Sequence, residues 1–469
     1  MPQIRCTEGT GLRFNGSDDE EQMHVTLSGL LFSKSSVSVQ DSSLDICNCK
    51  FKDWKQSMEI RFRTRIVLSV KVTNSIFSKN NGCMSVFVSN TNISSQNTQI
   101  VFNLTESSFD DNALSDKESC ISVIASAQNT QSVGCNITLK NVAFSRNRFG
   151  SKGLFLLETD NGSSNLHFQN VTFTDNSLLS TRNALVDDRG SECIAGSTNL
   201  NIGIDSSTFE SQRARSLDIT ASHISLQIYN SSFCGHRVNG NGGGVSVKGT
   251  DLCKVIVANS SFVNTTATQG GAINIECLKV ESVSFRRNTF KGSLAKNGSG
   301  GAVYIYSASL FPDDFHCPKE SIPELHHDER SPQISITQCN FVDANSLYGA
   351  GAVHIQATSV RISQSRFINC ASTGVVLERS VILIKTTSTA PMITSSYDLL
   401  VTVEHSLFMG CRLDLTINDL GANLVILTEK KNRINITDTH FISNSGGAIN
   451  ILPEGRSQDR LLPLHLPER

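Results

Sequence analysis

Apolar and polar residues alternate along this chain in short runs, and the runs recur against one landmark, a phenylalanine. Leu278 and Val280 stand seven and five residues before Phe285, and Ile434 and Ile436 hold the same places before Phe441. The spacing repeats at Phe32, Phe51, Phe77, Phe109, Phe144, Phe173, Phe209, Phe233, Phe262, Phe341, Phe367 and Phe408. Two residues before each Phe is a small, thiol-bearing or aliphatic residue, such as Cys49, Ser75, Ser107, Val142, Ser260, Cys339 or Ser365. Alternation at period two is a strand with one buried face, and the two-residue interruption inside the unit resets its phase. The unit therefore predicts a strand, a tight bend and a second strand. A third short strand follows at Val86/Val88, Ile121/Val123, Val245/Val247, Ile273/Ile275, Val303/Ile305, Val353/Ile355 and Ile449/Ile451.

Three strands per repeat make one triangular coil. The intervals between landmarks are unequal, which coils with loops of free length tolerate and helical repeats of period 3.6 do not. The expected fold is all-β, a right-handed parallel β-helix of about fourteen coils, about 65 Å long at the spacing of neighbouring strands. Residues 1–24 are read as a flank or incomplete first coil, 25–451 as the repeats with a loop insertion at about 308–333, and 452–469 as a polar tail.

Asparagine gathers at the bends, three residues before the landmark in Asn48, Asn74, Asn141, Asn170, Asn230 and Asn259, and three after it in Asn80, Asn112, Asn147, Asn176, Asn288 and Asn444. Asn tolerates left-handed backbone angles, and stacked copies pass amide hydrogen bonds from coil to coil. The expected structural ladders include Phe262, Phe285, Phe341 and Phe367 inside, with Asn141, Asn170, Asn230 and Asn259 at the bends. Gly-rich runs open the third strand, as in Gly270-Gly271-Ala272-Ile273 and Gly300-Gly301-Ala302-Val303. A phosphate cradle needs a helix N-terminus behind it, whereas these glycines precede a strand and relieve a crowded bend.

The pairing of Phe-x-x-Asn with Gly-Gly-Ala-Ile/Val resembles the repeats of the polymorphic outer-membrane protein family and, more broadly, right-handed β-helix proteins of the pectin-lyase-like fold. The matches that combine both halves are Phe285 to Asn288 with Gly300 to Val303, and Phe441 to Asn444 with Gly446 to Ile449. The resemblance implies a surface-exposed passenger used in adhesion, although the C-terminal membrane barrel of the bacterial proteins has no counterpart here.

Composition agrees with a thin, elongated core: 38% of residues are hydrophobic, yet there are twenty-four Phe against five Tyr and one Trp. A net charge of −2 gives no global field for nucleic acid or an anionic membrane. The local exception is Arg61, Arg63 and Arg65, alternating along one strand, which reads as a solvated face or an acidic-partner contact. No signal peptide pattern or membrane-length apolar run is found, and neither terminus supplies a cap, so the expectation is an incomplete chain whose signal or anchor lies elsewhere. Eleven Asn-x-Ser/Thr sequons permit glycosylation, Asn170, Asn230 and Asn259 among them.

Candidate chemistry is sparse. β-Helix enzymes that cut acidic polysaccharides cluster carboxylates and basic residues on one outward face. The Asp pairs Asp110-Asp111, Asp187-Asp188 and Asp313-Asp314 fall in variable turns or insertions in this register. No catalytic set is assigned, the least unlikely being Asp187, Asp188 and Arg189. The insertion carries His316, Cys317, His326 and His327 without a standard zinc spacing, which makes these His weak metal candidates. Of fourteen Cys, two pairs share a register on successive coils, Cys370 with Cys411 and Cys253 with Cys277, within disulfide reach. The expected function is recognition of a protein or glycan by a cofactor-free, extracellular or cell-surface rod, monomeric or part of a longer polypeptide. A polysaccharide lyase or hydrolase and a structural spacer are the rivals.

Overall fold

The computed structural model describes residues 3–5, 11–15, 24–34, 36–55, 58–62, 67–90, 98–114, 119–127, 133–149, 153–159, 162–178, 184–190, 199–211, 215–307, 333–357, 359–373, 379–386, 399–413, 422–428 and 432–453; for 184–190 and a few strand ends this covers the backbone alone. Every element in them is a β-strand, and each pairs in parallel with the equivalent strand of a neighbouring coil, most of them on both sides. The chain is a parallel β-helix with three main strands per coil, as the alternation requires, and in five successive coils a fourth strand of two residues stacks into a small sheet of its own. One coil runs through a leading strand (Ile334–Thr337), a Phe strand (Asn340–Val342), a two-residue strand (Asn345–Ser346) and a closing strand (Ala350–Gln356) before the next leading strand begins at Val360. No helix among the described residues is long and apolar enough to cross a membrane. Two strands of the flank stack on the coil that follows: Gln3–Arg5 pairs with Leu31–Ser33, and Gly11–Asn15 with Ser36–Gln40. Residues 454–469 lie outside the described residues.

One continuous apolar core fills the tube from Val25 to Ile426. Its spine is a column of parallel Phe rings, with Phe233 and Phe262 4.7 Å apart at 3° and Phe341 and Phe367 4.8 Å apart at 6°. The column corrects the sequence register in one coil. Phe262 stacks on Phe290, and Phe290 on Phe341, whereas Phe285 meets Phe290 edge-on at 79°. Phe285 belongs to the leading strand, between Val257 and Ile336, in a column that is aliphatic on either side of it and holds one other ring, Phe168. Asn288 consequently stands two before its landmark, not three after it. Of the two motif matches, only Phe441 to Asn444 keeps its place in the coil.

Two left-handed residues frame the Phe strand. The position three before the ring has positive φ at every landmark, from Gly29 and Asn48 through Asn259, Arg287, Gln338 and Gln364 to Asp438. A second left-handed residue comes two after the ring, as at Asp53, Lys79, Asn264 and Asp343. This turns the residue at three after the ring inward, so its Asn is buried and does not form the bend itself. Asn80, Asn112 and Asn147 are fully buried; each side-chain carbonyl accepts a backbone N–H from the preceding coil, and each amide donates to a Phe carbonyl. The small position two before the ring makes a second inner ladder: the hydroxyls of Ser207, Ser231 and Ser260 accept the N–H of Val171, Ser207 and Ser231. At the outer corner Asn170 donates to Asn141 at 2.9 Å, and Asn230 to Asp205 at 3.0 Å. Bend groups that would lie buried without partners are thereby satisfied coil by coil.

The glycines act at the entry to the closing strand. Gly270 has φ of +56°, and a Cβ on Gly271 would lie 2.1 Å from the Gly301 carbonyl oxygen, so the second glycine is required by close coil approach.

Cys253 and Cys277 form a disulfide with Cα atoms 6.2 Å apart. They are not stacked in one register, as the sequence reading had them: Cys277 pairs with Gly249 and Cys253 with Val280, so the bond crosses the corner between closing and leading strands. Gly249 leaves room for it, since a Cβ there would sit 2.3 Å from the Cys253 sulfur. Cys370 and Cys411 do face each other on adjacent coils but are free, and burial pushes the Cys370 thiol up. Cys83 and Cys120 form a second such contact that the sequence did not suggest. The disulfide closes a sequence separation of 24 residues. Cys253→Ala with Cys277→Ala is expected to cost about 3 kcal/mol in denaturant unfolding, and non-reducing peptide mapping should recover one peptide joined through these two residues.

Candidate functional site

The leading strands present their polar face to solvent, and across four coils this face forms a groove of about 460 Å3. Period-two alternation puts two columns outward. One runs Ser284, Ser335, Arg361, Thr402, and the other Arg286, Thr337, Ser363, Glu404, each residue paired in register with the next. Hydroxyls dominate the floor: Ser335 lies 3.3 Å from Thr337, and Thr337 3.1 Å from Ser363. One ion pair crosses it, with Arg361 Nε and Nη2 donating to Glu404 Oε1 at 2.9 and 2.5 Å. At the rim Gln338 donates to Gln364 at 2.9 Å. The groove holds one carboxylate among the described residues, and its charge is matched by the guanidinium beside it. Such a surface offers donors and acceptors along an extended ligand with little net field.

Neither Arg361 nor Glu404 stood out in the sequence, being 43 residues apart. The repeat contained the signal, because six and four residues before Phe367 and Phe408 are outward positions of adjacent coils.

The nominated Asp187, Asp188 and Arg189 are not in a turn. They lie on the closing strand Ala184–Gly190, in register with Leu156, Leu157 and Glu158 on one side and Asp218, Ile219 and Thr220 on the other. Only their backbone is described. Asp110 accepts from Ser145 and pairs with Arg146 of the next coil, while Asp111 occupies a left-handed bend. Asp313, Asp314, His316, Cys317, His326 and His327 lie outside the described residues, among which no group of three potential metal ligands occurs. Arg61 is exposed, bonded to Glu59 and 5.7 Å over the Phe87 ring, and Arg63 and Arg65 lie outside the described residues.

No family model and no curated protein matches the chain. Among solved structures, the Streptococcus pneumoniae surface protein and adhesin PfbA is similar over 92% of this chain and 91% of that one, at 10% identity and a TM-score of 0.28.

Proposed function

We propose that the chain is a non-enzymatic recognition scaffold, a rigid rod that binds an extended protein or glycan ligand through the groove on its leading strands, at a cell surface or in the extracellular space. The carrying observation is the groove: a hydroxyl-lined, nearly uncharged track across four coils, held by strands paired on both sides. Rigid positioning lowers the ordering cost of binding, and shallow polar tracks suit long ligands that make many weak contacts. The Cys253–Cys277 disulfide fits an oxidising setting. Hydrolysis by paired carboxylates calls for two acids flanking the scissile bond, whereas the groove offers Glu404 tied to Arg361.

The test passes the purified chain over immobilised neutral glycans, uronic-acid polymers and extracellular-matrix proteins, while assaying the same polymers for new reducing ends and unsaturated uronates. Retention on at least one surface is expected, weakened about tenfold by Arg361→Ala with Glu404→Ala, with no product released. Turnover that disappears in Glu404→Gln would replace this reading with the enzymatic one.

A further inference from the structure

The outward face of the closing strands differs in kind from the groove. In register across three coils stand Asn274, Tyr304 and His354 in one column, and Glu276, Tyr306 and Gln356 in the next. Although they point away from the tube, Asn274, His354 and Gln356 are only 2%, 7% and 9% exposed, and each keeps a buried polar atom without a hydrogen-bond partner: Asn274 Oδ1, His354 Nε2 and Gln356 Oε1. Unsatisfied buried polar atoms are costly and rare, and three within one patch point to a ligand that completes them.

The hydrogen bonds around the patch limit what each atom offers. The Ala350 N–H donates to Ser299 Oγ at 2.7 Å, and the same oxygen shares a hydrogen bond with His354 Nδ1, also 2.7 Å away. In either tautomer His354 Nε2 is left without a partner, as a donor or as an acceptor. Burial and the neighbouring Lys385 push its pKa down to about 3, so the ring is neutral in ordinary buffers. Asn274 and Asn241 both donate to Glu276 Oε1, at 3.0 and 2.9 Å, which orients Asn274 with its carbonyl oxygen free. The site thus presents one neutral imidazole nitrogen and two amide acceptors. Beside them the half-buried Tyr304 ring lies 4.8 Å from the His354 ring, with Tyr306 half-buried alongside as an accessible edge.

We infer that this face, at Asn274, Tyr304, His354 and Gln356, is a binding site for a neutral saccharide. Sugar hydroxyls both donate and accept, matching the mixed set of open atoms, and the C–H face of a pyranose packs on an aromatic ring. An anion meets a neutral His354 and the Glu276 carboxylate, against which stands the Lys385 cation in register with Gln356, and a wholly apolar ligand would leave the three polar atoms unpaired. The site lies on a different side of the coil from the groove, so either can fail without the other.

The test titrates the full chain with glucose, galactose, mannose, N-acetylglucosamine and their β-1,4-linked disaccharides, read by saturation-transfer NMR and calorimetry. At least one should bind, about tenfold more weakly in Asn274→Ala and in Tyr304→Ala and unchanged in Arg361→Ala. Circular dichroism checks each variant, and Tyr304→Ala, truncating a half-exposed side chain, carries the comparison if Asn274→Ala fails to fold. The inference is overturned if no sugar binds, if binding survives both substitutions, or if it falls equally in Arg361→Ala; that last result moves sugar binding to the groove and leaves the recognition reading in place.

Discussion

Replacing Phe290 by alanine is expected to lower the stability of the coils around it by about 3–5 kcal/mol, the range for deleting a buried aromatic side chain. Phe290 is fully buried and stacks on Phe262 at 5.1 Å and on Phe341 at 4.8 Å, so truncation removes two ring contacts as well as apolar burial. Leucine makes the sharper comparison. Phe290→Leu interrupts the ring column and should cost more than about 1.5 kcal/mol, whereas Phe285→Leu places an aliphatic residue between Val257 and Ile336 and should cost less than that. A solenoid unfolds in nearest-neighbour units, so amide hydrogen exchange resolved by coil, alongside denaturant unfolding, is the suitable measurement. Equal losses in the two leucine variants would show that the column carries no energy of its own.

The same coil shows how far the sequence could be read. Phe285 and Phe290 both have apolar residues seven and five before them, so the strand rule alone cannot choose between them. Phe285-Arg286-Arg287-Asn288 also imitates the recurring Phe-x-x-Asn. The deciding signal was Gly292, two after Phe290, where the backbone is left-handed with φ of +63°. Strands, their order and the inward face were legible because alternation and burial are local. The bends were legible where Asn or Gly fills them, but Glu106, Arg287, Gln338 and His405 take the same left-handed geometry without any residue-type signal. Three of the sequons follow from this rule: Asn170, Asn230 and Asn259 are the left-handed corner, and the Ser or Thr two residues later is the outward residue before the ring.

The candidate sites were less legible, since each is assembled from outward positions of different coils. Arg361 meets Glu404, and Ser299 meets His354, across intervals set by loop lengths. The outward side of the closing strands also departs from simple alternation: Ala350–Gln356 is buried at every position, and Leu383, Val425 and Leu427 form a second apolar cluster there. Continuous apolar runs such as Val381-Ile382-Leu383-Ile384 carry that information, because a strand buried on both faces loses its period.

Asn147→Leu is expected to destabilise the chain by about 3 kcal/mol despite raising its apolar content. Asn147 is fully buried; its Oδ1 accepts the Asn112 backbone N–H at 3.0 Å, and its Nδ2 donates to the Phe109 carbonyl at 2.9 Å and to Asn176 Oδ1 at 3.0 Å. Leucine leaves the Asn112 N–H in the interior without a partner and breaks the amide chain between Asn112 and Asn176. Asn147→Asp separates the two functions of the amide. A carboxylate still accepts from Asn112 but has no proton for Phe109 or Asn176, and burial without a counter-ion favours its neutral form, which supplies that proton. The folded-state pKa of the new acid is therefore raised above its unfolded value of about 3.9. The aspartate variant should lie nearest to wild type at acid pH, below that unfolded value, and fall behind as pH rises toward the raised folded pKa, losing up to about 1.4 kcal/mol per pH unit. The leucine variant, with no titrating group, should stay a constant distance from wild type. Denaturant unfolding of all three proteins across pH 3 to 8 measures both slopes, and a pH-independent aspartate variant would mean that the buried amide donor is dispensable.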